Sequence, residues 1–148
     1  MEEILLSVDV AEANVNRTVA LAGTSIAIFT FTLVFLYPRV SSGIGSVLFQ
    51  IALTVIGFAI FSFVLSGICY YAQMLSLAHD STMAETLRRR ADTLWLIGFS
   101  LLVLEPSLIL FTVGLVAVAA VYLALWVAYM FIEIYVFSQI QSWLRKAK

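Results

Sequence analysis

Charge is scarce in this chain. Its 148 residues include 8 Lys and Arg and 9 Asp and Glu, which together make 11% of the sequence. A soluble domain carries about 25% charged residues, so the composition argues against a soluble globular fold. The formal net charge of −1 leaves no basic excess for a nucleic-acid partner. The single cysteine, Cys69, forms no intrachain disulfide and fits no redox or metal spacing. His79 is the only histidine, which removes the usual zinc and haem ligand sets. No Gly-rich phosphate loop, no Ser, His and Asp combination, no ladder of arginines within a span and no TVGYG filter occurs. No cofactor and no enzymatic activity are therefore expected. The opening MEEILLSVDVAEANVNR has acids where a signal peptide has basic residues, and neither end carries a lipidation motif. No internal repeat and no low-complexity tract is visible.

What the chain has instead is apolar sequence, 63% of its residues. A membrane-spanning helix needs about 20 mostly apolar residues. The first run, 19–37, closes at Pro38 and Arg39, because proline keeps its predecessor out of helical dihedrals. SSGIGS (41–46) reads as a turn. No acidic or permanently basic residue occurs between Val40 and Ala78. A second span is placed at 47–71, in a helix that starts near Ile44 or Val47 and extends toward Ala78. Asp80 and Ser81 break that pattern. Thr82 and Glu85 match a capping box, which restarts a helix near Met83.

The third apolar run contains LLVLEPSLIL, with Glu105 and Pro106 in its middle. From Met83 to Leu104 a helix covers about 33 Å, close to the hydrocarbon thickness of about 30 Å. That places a turn at Glu105–Pro106–Ser107, with Pro106 in the first turn of the next helix. The spans become 84–104 and 107–131. The rival reading is one span from Leu94 to Val116 with Glu105 at mid-bilayer, which leaves no polar break for the turn into a fourth span.

With turns at 38–46 and 105–107, Arg17, Arg88, Arg89, Arg90, Arg145, Lys146 and Lys148 share one side and Arg39 lies opposite. Basic residues concentrate on cytoplasmic flanks, so both termini are expected there, in the plasma membrane of a prokaryote. The expected fold is an all-α integral membrane protein, a four-transmembrane-helix bundle made of two helical hairpins with cytoplasmic extensions. Residues 1–16 form an amphipathic or frayed segment, with Ile4, Val8, Ala11 and Val15 at helical spacing. Residues 132–148 form a helical extension.

Few residues suggest chemistry. An ionisable group within a span is costly and by default a functional candidate, which singles out Glu105 and Glu133. Glu133 shares a helix face with Tyr122, Trp126 and Tyr129. Its competing reading is a headgroup-level carboxylate paired with Arg17 or with one of Arg88, Arg89 and Arg90. Ser62, Ser66, Tyr70 and Gln73 form a polar stripe on the second helix, and Asn14, Thr18, Ser25 and Thr32 form one on the first. Each stripe could line a water-filled path, but small and hydroxyl residues more commonly let membrane helices pack closely; Gly57, Gly67, Gly98 and Gly114 fit that packing role. Arg88–Arg90 suit topology or anionic lipid. The partners expected are the lipid bilayer and either further copies of the chain or another membrane protein. Two functions fit: a subunit of a homo-oligomeric channel or small-solute or ion transporter, and a non-catalytic scaffold or assembly partner.

Overall fold

The computed structural model describes the backbone of residues 2–39, 44–77 and 81–146, and the side chains of 8–38, 45–77 and 81–136. Residues 40–43 of the expected first turn, His79 and Asp80, and the side chains of Ile4, Arg39, Arg145, Lys146 and Lys148 lie outside the described residues. Four α-helices follow one another: α1 (Glu2–Phe31), α2 (Ile44–Ser76), α3 (Ser81–Thr112) and α4 (Val116–Lys146). All four are long and apolar enough to cross a membrane.

The first helix runs unbroken from Glu2 to Phe31. Ala11 is buried while Asp9 and Glu12 are exposed. At its far end α1 widens into a π-helical turn, Thr32–Leu36, and then tightens into a 3-10 turn, Tyr37–Arg39. Pro38 gives this a local cause: it offers no amide to the carbonyl of Val34 and its ring crowds that carbonyl.

Buried positions on α2 include Phe49, Ala52, Ile56, Ala59, Phe63, Ser66, Tyr70 and Gln73, with Ser62 buried next to Phe63. Their spacing alternates between three and four residues, the seam of left-handed helix packing. α1 answers with Ala11, Thr18, Ala22, Ser25 and Thr32. On α3 the answering residues are Ala84, Ala91, Gly98 and Glu105, each seven residues after the last. Small side chains dominate these stripes because lipid supplies no hydrophobic force between helices, so close van der Waals packing holds them together. Two approaches are tight. A Cβ on Gly67 would lie 3.0 Å from Thr18 Oγ1, and one on Gly98 would lie 3.0–3.2 Å from the ring of Phe63. Gly57 has open space instead and makes no such approach.

α3 does not end where the sequence suggested. It continues through Pro106 to Thr112, and the turn lies at 113–115. Gly114 adopts φ +81°; Leu115 N–H donates to Leu110 O at 3.0 Å and Gly114 N–H to Phe111 O at 3.2 Å. That bond pair is a Schellman ending, with glycine at the left-handed position. The 105–107 break is therefore corrected, and with it the span limits 84–104 and 107–131. A proline within a helix costs its missing bond, but membrane helices tolerate it where neighbours re-satisfy the backbone. The restart after Asp80 comes at Ser81, two residues before Met83. Glu85 pairs with Arg89 at 3.0 Å.

The arrangement is lopsided. α2 packs against α1 on one side and α3 on the other, and α4 packs chiefly on α3. Leu21 and Ala22 of α1, Ala59 and Phe63 of α2, and Trp95, Phe99, Leu101 and Leu102 of α3 form one apolar core. Among the described residues of α4, only Ala119 is buried.

Candidate functional site

Glu105 sits on the inward stripe of α3, in the register of Ala84, Ala91 and Gly98, and is 2% exposed. Neither of its carboxyl oxygens has a hydrogen-bond partner among the described residues. At roughly 1.5 Å per residue it lies about 22 Å from Arg90 and about 10 Å from Thr112 along the helix. It is thus not a turn residue; the placement expected from the sequence is corrected. Of the buried polar side chains it is the most demanding, because a buried charge without pairing is far more costly than a buried hydroxyl. Ser107, two residues on, donates to Ala119 O at 2.9 Å and fastens α3 to α4.

The polar stripe on α2 faces inward. Ser66 and Tyr70 bridge to α3: Ser66 Oγ donates to Ala91 O at 2.8 Å, and Tyr70 Oη donates to Asp92 Oδ1 at 2.5 Å. Ser62 and Gln73 are buried beside them, Gln73 with no partner for Oε1 among the described residues. Hydrogen bonding makes Ser66 and Tyr70 rivets between helices. On α1, Thr18 Oγ1 donates back to its own helix, at 2.8 Å to Val15 O. Ser25 Oγ and Thr32 Oγ1 are buried with no partner among the described residues.

Glu133 belongs to a different place, the seam between α3 and α4. Tyr129 Oη donates to Glu133 Oε1, and Ser100 Oγ stands 3.5 Å from Oε2, the long limit of a hydrogen bond. Trp126 Nε1 donates to Ser100 O at 2.8 Å. Tyr122, the fourth member of that helix face, is 44% exposed and stands apart from these contacts. The expected arginine pairings are not made. The Arg17 guanidinium lies over the Trp95 ring at 4.1 Å, Arg88 faces Asp92 at 3.9 Å, Arg89 holds Glu85 at 3.0 Å, and Arg90 is exposed. Trp95 stacks on Phe99, and Phe99 meets Tyr129 at a tilt, so an aromatic row on α3 joins Arg17 of α1 to the surroundings of Glu133.

The structure therefore keeps the two acids apart. It brings Ser66 and Tyr70 to α3, and Trp126, Tyr129 and Glu133 to Ser100. Sequence reading did not single out Ser100, Asp92 or Phe63, and it took Ser107 only as part of a turn. Ser100 and Ser107 carry a readable signal, being hydroxyls seven residues apart within an apolar run. Among the described residues no three His, Cys, Asp or Glu side chains group as metal ligands. The geometry defines an all-helical protein with four membrane-length helices and an isolated acid in its packed interior. Comparison with known protein families, curated proteins and solved structures gives no match.

Proposed function

We propose that the chain is a membrane transport protein, a subunit of a homo-oligomeric channel or ion transporter, with Glu105 as its ion-responsive group. One observation carries this reading: a carboxyl that is 2% exposed, with neither oxygen partnered among the described residues. An ionisable residue in a span is costly to keep and is typical of ion paths and proton relays. The lopsided packing adds support, since α4 leaves most of its surface to lipid or to another copy. The test is reconstitution of the purified protein into liposomes with ion-flux readout. Glu105→Gln is expected to cut flux at least about tenfold, a barrier change of about 1.4 kcal/mol. Unchanged flux in Glu105→Gln sinks the reading.

The second reading is a non-catalytic partner of another membrane protein, favoured by the uncovered face of α4. Its mark would be a silent reconstitution with a stoichiometric co-purifying partner. Burial of Glu105 within its own chain counts against its serving as the pairing acid for a foreign base.

In this reading the protein spans the plasma membrane of a prokaryote as two helical hairpins. Arg17 and Arg88–Arg90 lie toward the end of the molecule away from the 113–115 turn, and basic residues favour the cytoplasm. Both termini are then cytoplasmic. In a Cys69→Ala background, Leu115→Cys should react with an impermeant thiol reagent on intact cells while Ser142→Cys does not. The opposite pattern reverses the orientation.

A further inference from the structure

We infer that the ion handled at Glu105 is a proton, exchanged with the side that carries the 113–115 turn, past a lid formed by Tyr37 and Phe49. This rests on the transport reading above.

The donor set argues for the ion. Hard cations such as calcium and magnesium take roughly six or more oxygen ligands. Glu105 offers one carboxyl. Ser107 Oγ is engaged with Ala119 O. α2 has no Asp, Glu, Lys, Arg or His along Ile44–Ser76. The other titratable groups on the packed elements include Arg17 of α1, Tyr37 of the 3-10 turn, Cys69, Tyr70 and Tyr71 of α2, and Tyr122, Tyr129 and Glu133 of α4. Tyr122 is level with Leu104 by the Ser107–Ala119 and Ser100–Trp126 bonds but is 44% exposed, and none of these groups bonds to the Glu105 carboxyl. One isolated carboxylate is balanced by one proton. The step is formation of a single O–H bond on a carboxylate oxygen, with the proton drawn from water and no other bond changed.

Path length argues for the side. Along α3, Glu105 lies about 10 Å from Thr112 but about 20 Å from Asp92, at roughly 1.5 Å per residue. The interior is packed on both sides of Glu105, by Ala59 and Phe63 toward Asp92, where Phe63 closes on Gly98, and by Ala52 toward the turn, so the shorter distance decides the side. Toward the turn, the ring of Phe49 is 2% exposed and meets the ring of Tyr37 at 5.9 Å, while Tyr37 itself is 65% exposed. Tyr37 follows directly on the π-turn Thr32–Leu36. Turns of this kind cluster at functional sites. Thr32, at the head of that turn, is buried with an unpartnered hydroxyl. Counting from the Thr18–Gly67 and Phe63–Gly98 approaches puts Thr32 level with Leu108, about one helical turn from Glu105.

Two measurements test this. In a Cys69→Ala/Glu105→Cys background, intact cells are treated with 2-sulfonatoethyl methanethiosulfonate. Phe49→Ala should speed labelling at least about tenfold, about 1.4 kcal/mol off the barrier, and Phe63→Ala should leave it unchanged. Equal rates in all three, or acceleration by Phe63→Ala alone, overturn the lid. In pyranine-loaded phosphatidylcholine–phosphatidylglycerol liposomes, the otherwise native protein with Phe49→Ala should raise proton flux, and adding Glu105→Gln should abolish the rise. Sodium and potassium fluxes should stay flat. A leak that survives Glu105→Gln overturns the inference. A Glu105-dependent sodium or potassium flux without proton flux removes the proton and leaves the transport reading standing. Phe49→Leu, checked for monodispersity, repeats both assays in case the alanine variant misfolds.

Discussion

Glu105 and Glu133, the acids within the apolar runs, stand in opposite environments. Glu105 lies on the inward small-residue stripe of α3, where nothing among the described residues pairs with it. Glu133 lies half-buried in the looser seam between α3 and α4, where Tyr129 donates to it and Ser100 stands within reach. Both occur in apolar runs, and both are expensive by the same rule. The difference teaches that cost and compensation separate. At Glu133 the surrounding hydroxyls and partial exposure offset much of the cost, so its presence has a structural account. At Glu105 no structural gain is visible, so the acid reads as retained for something other than stability.

The largest effect expected from this contrast is an increase in stability. Leaving a buried polar group unsatisfied costs about 1–3 kcal/mol, and an apolar residue of similar shape removes that cost. Glu105→Met should therefore stabilise the fold by about 1–3 kcal/mol while abolishing flux. Unfolding in mixed dodecylmaltoside and dodecyl sulfate micelles would show it. A destabilised Glu105→Met would mean that the carboxyl has a partner holding the helices together, and the comparison would fail.

Much of this architecture is legible in the sequence. Four apolar runs give four helices, and Pro38 marks the end of the first. The position of the last turn is not, and the reason is physical. Glu105, Pro106 and Ser107 have the composition of a turn, yet α3 carries all three inside a packed helix. The real turn, Val113–Gly114–Leu115, is apolar on both flanks and looks like span. Gly114 alone signals it, through the positive φ that a Schellman ending requires. The buried acid could have been found by spacing, since Glu105 completes the series Ala84, Ala91, Gly98 at intervals of seven. A helix that packs closely at three members of that series places the fourth inside as well. The contacts of Glu133 were less accessible. They depend on the α3–α4 register, which follows from the turn position that composition concealed.

The smallest effect is expected at Glu133, and its smallness is informative. Glu133→Gln keeps an oxygen that accepts the Tyr129 hydroxyl, and its amide nitrogen can face the Ser100 oxygen. The side chain is not sealed from solvent, so little desolvation is gained or lost. Substitutions at partly exposed positions of this kind change stability by about 0.5 kcal/mol or less. The same micelle unfolding measurement should place Glu133→Gln within that range of the native protein, with flux unchanged. A loss of flux comparable to that of Glu105→Gln would show that the α3–α4 seam, with its aromatic row leading to Arg17, belongs to the ion path. The two acids would then be parts of one route, and the division between a functional interior and a structural seam would not hold.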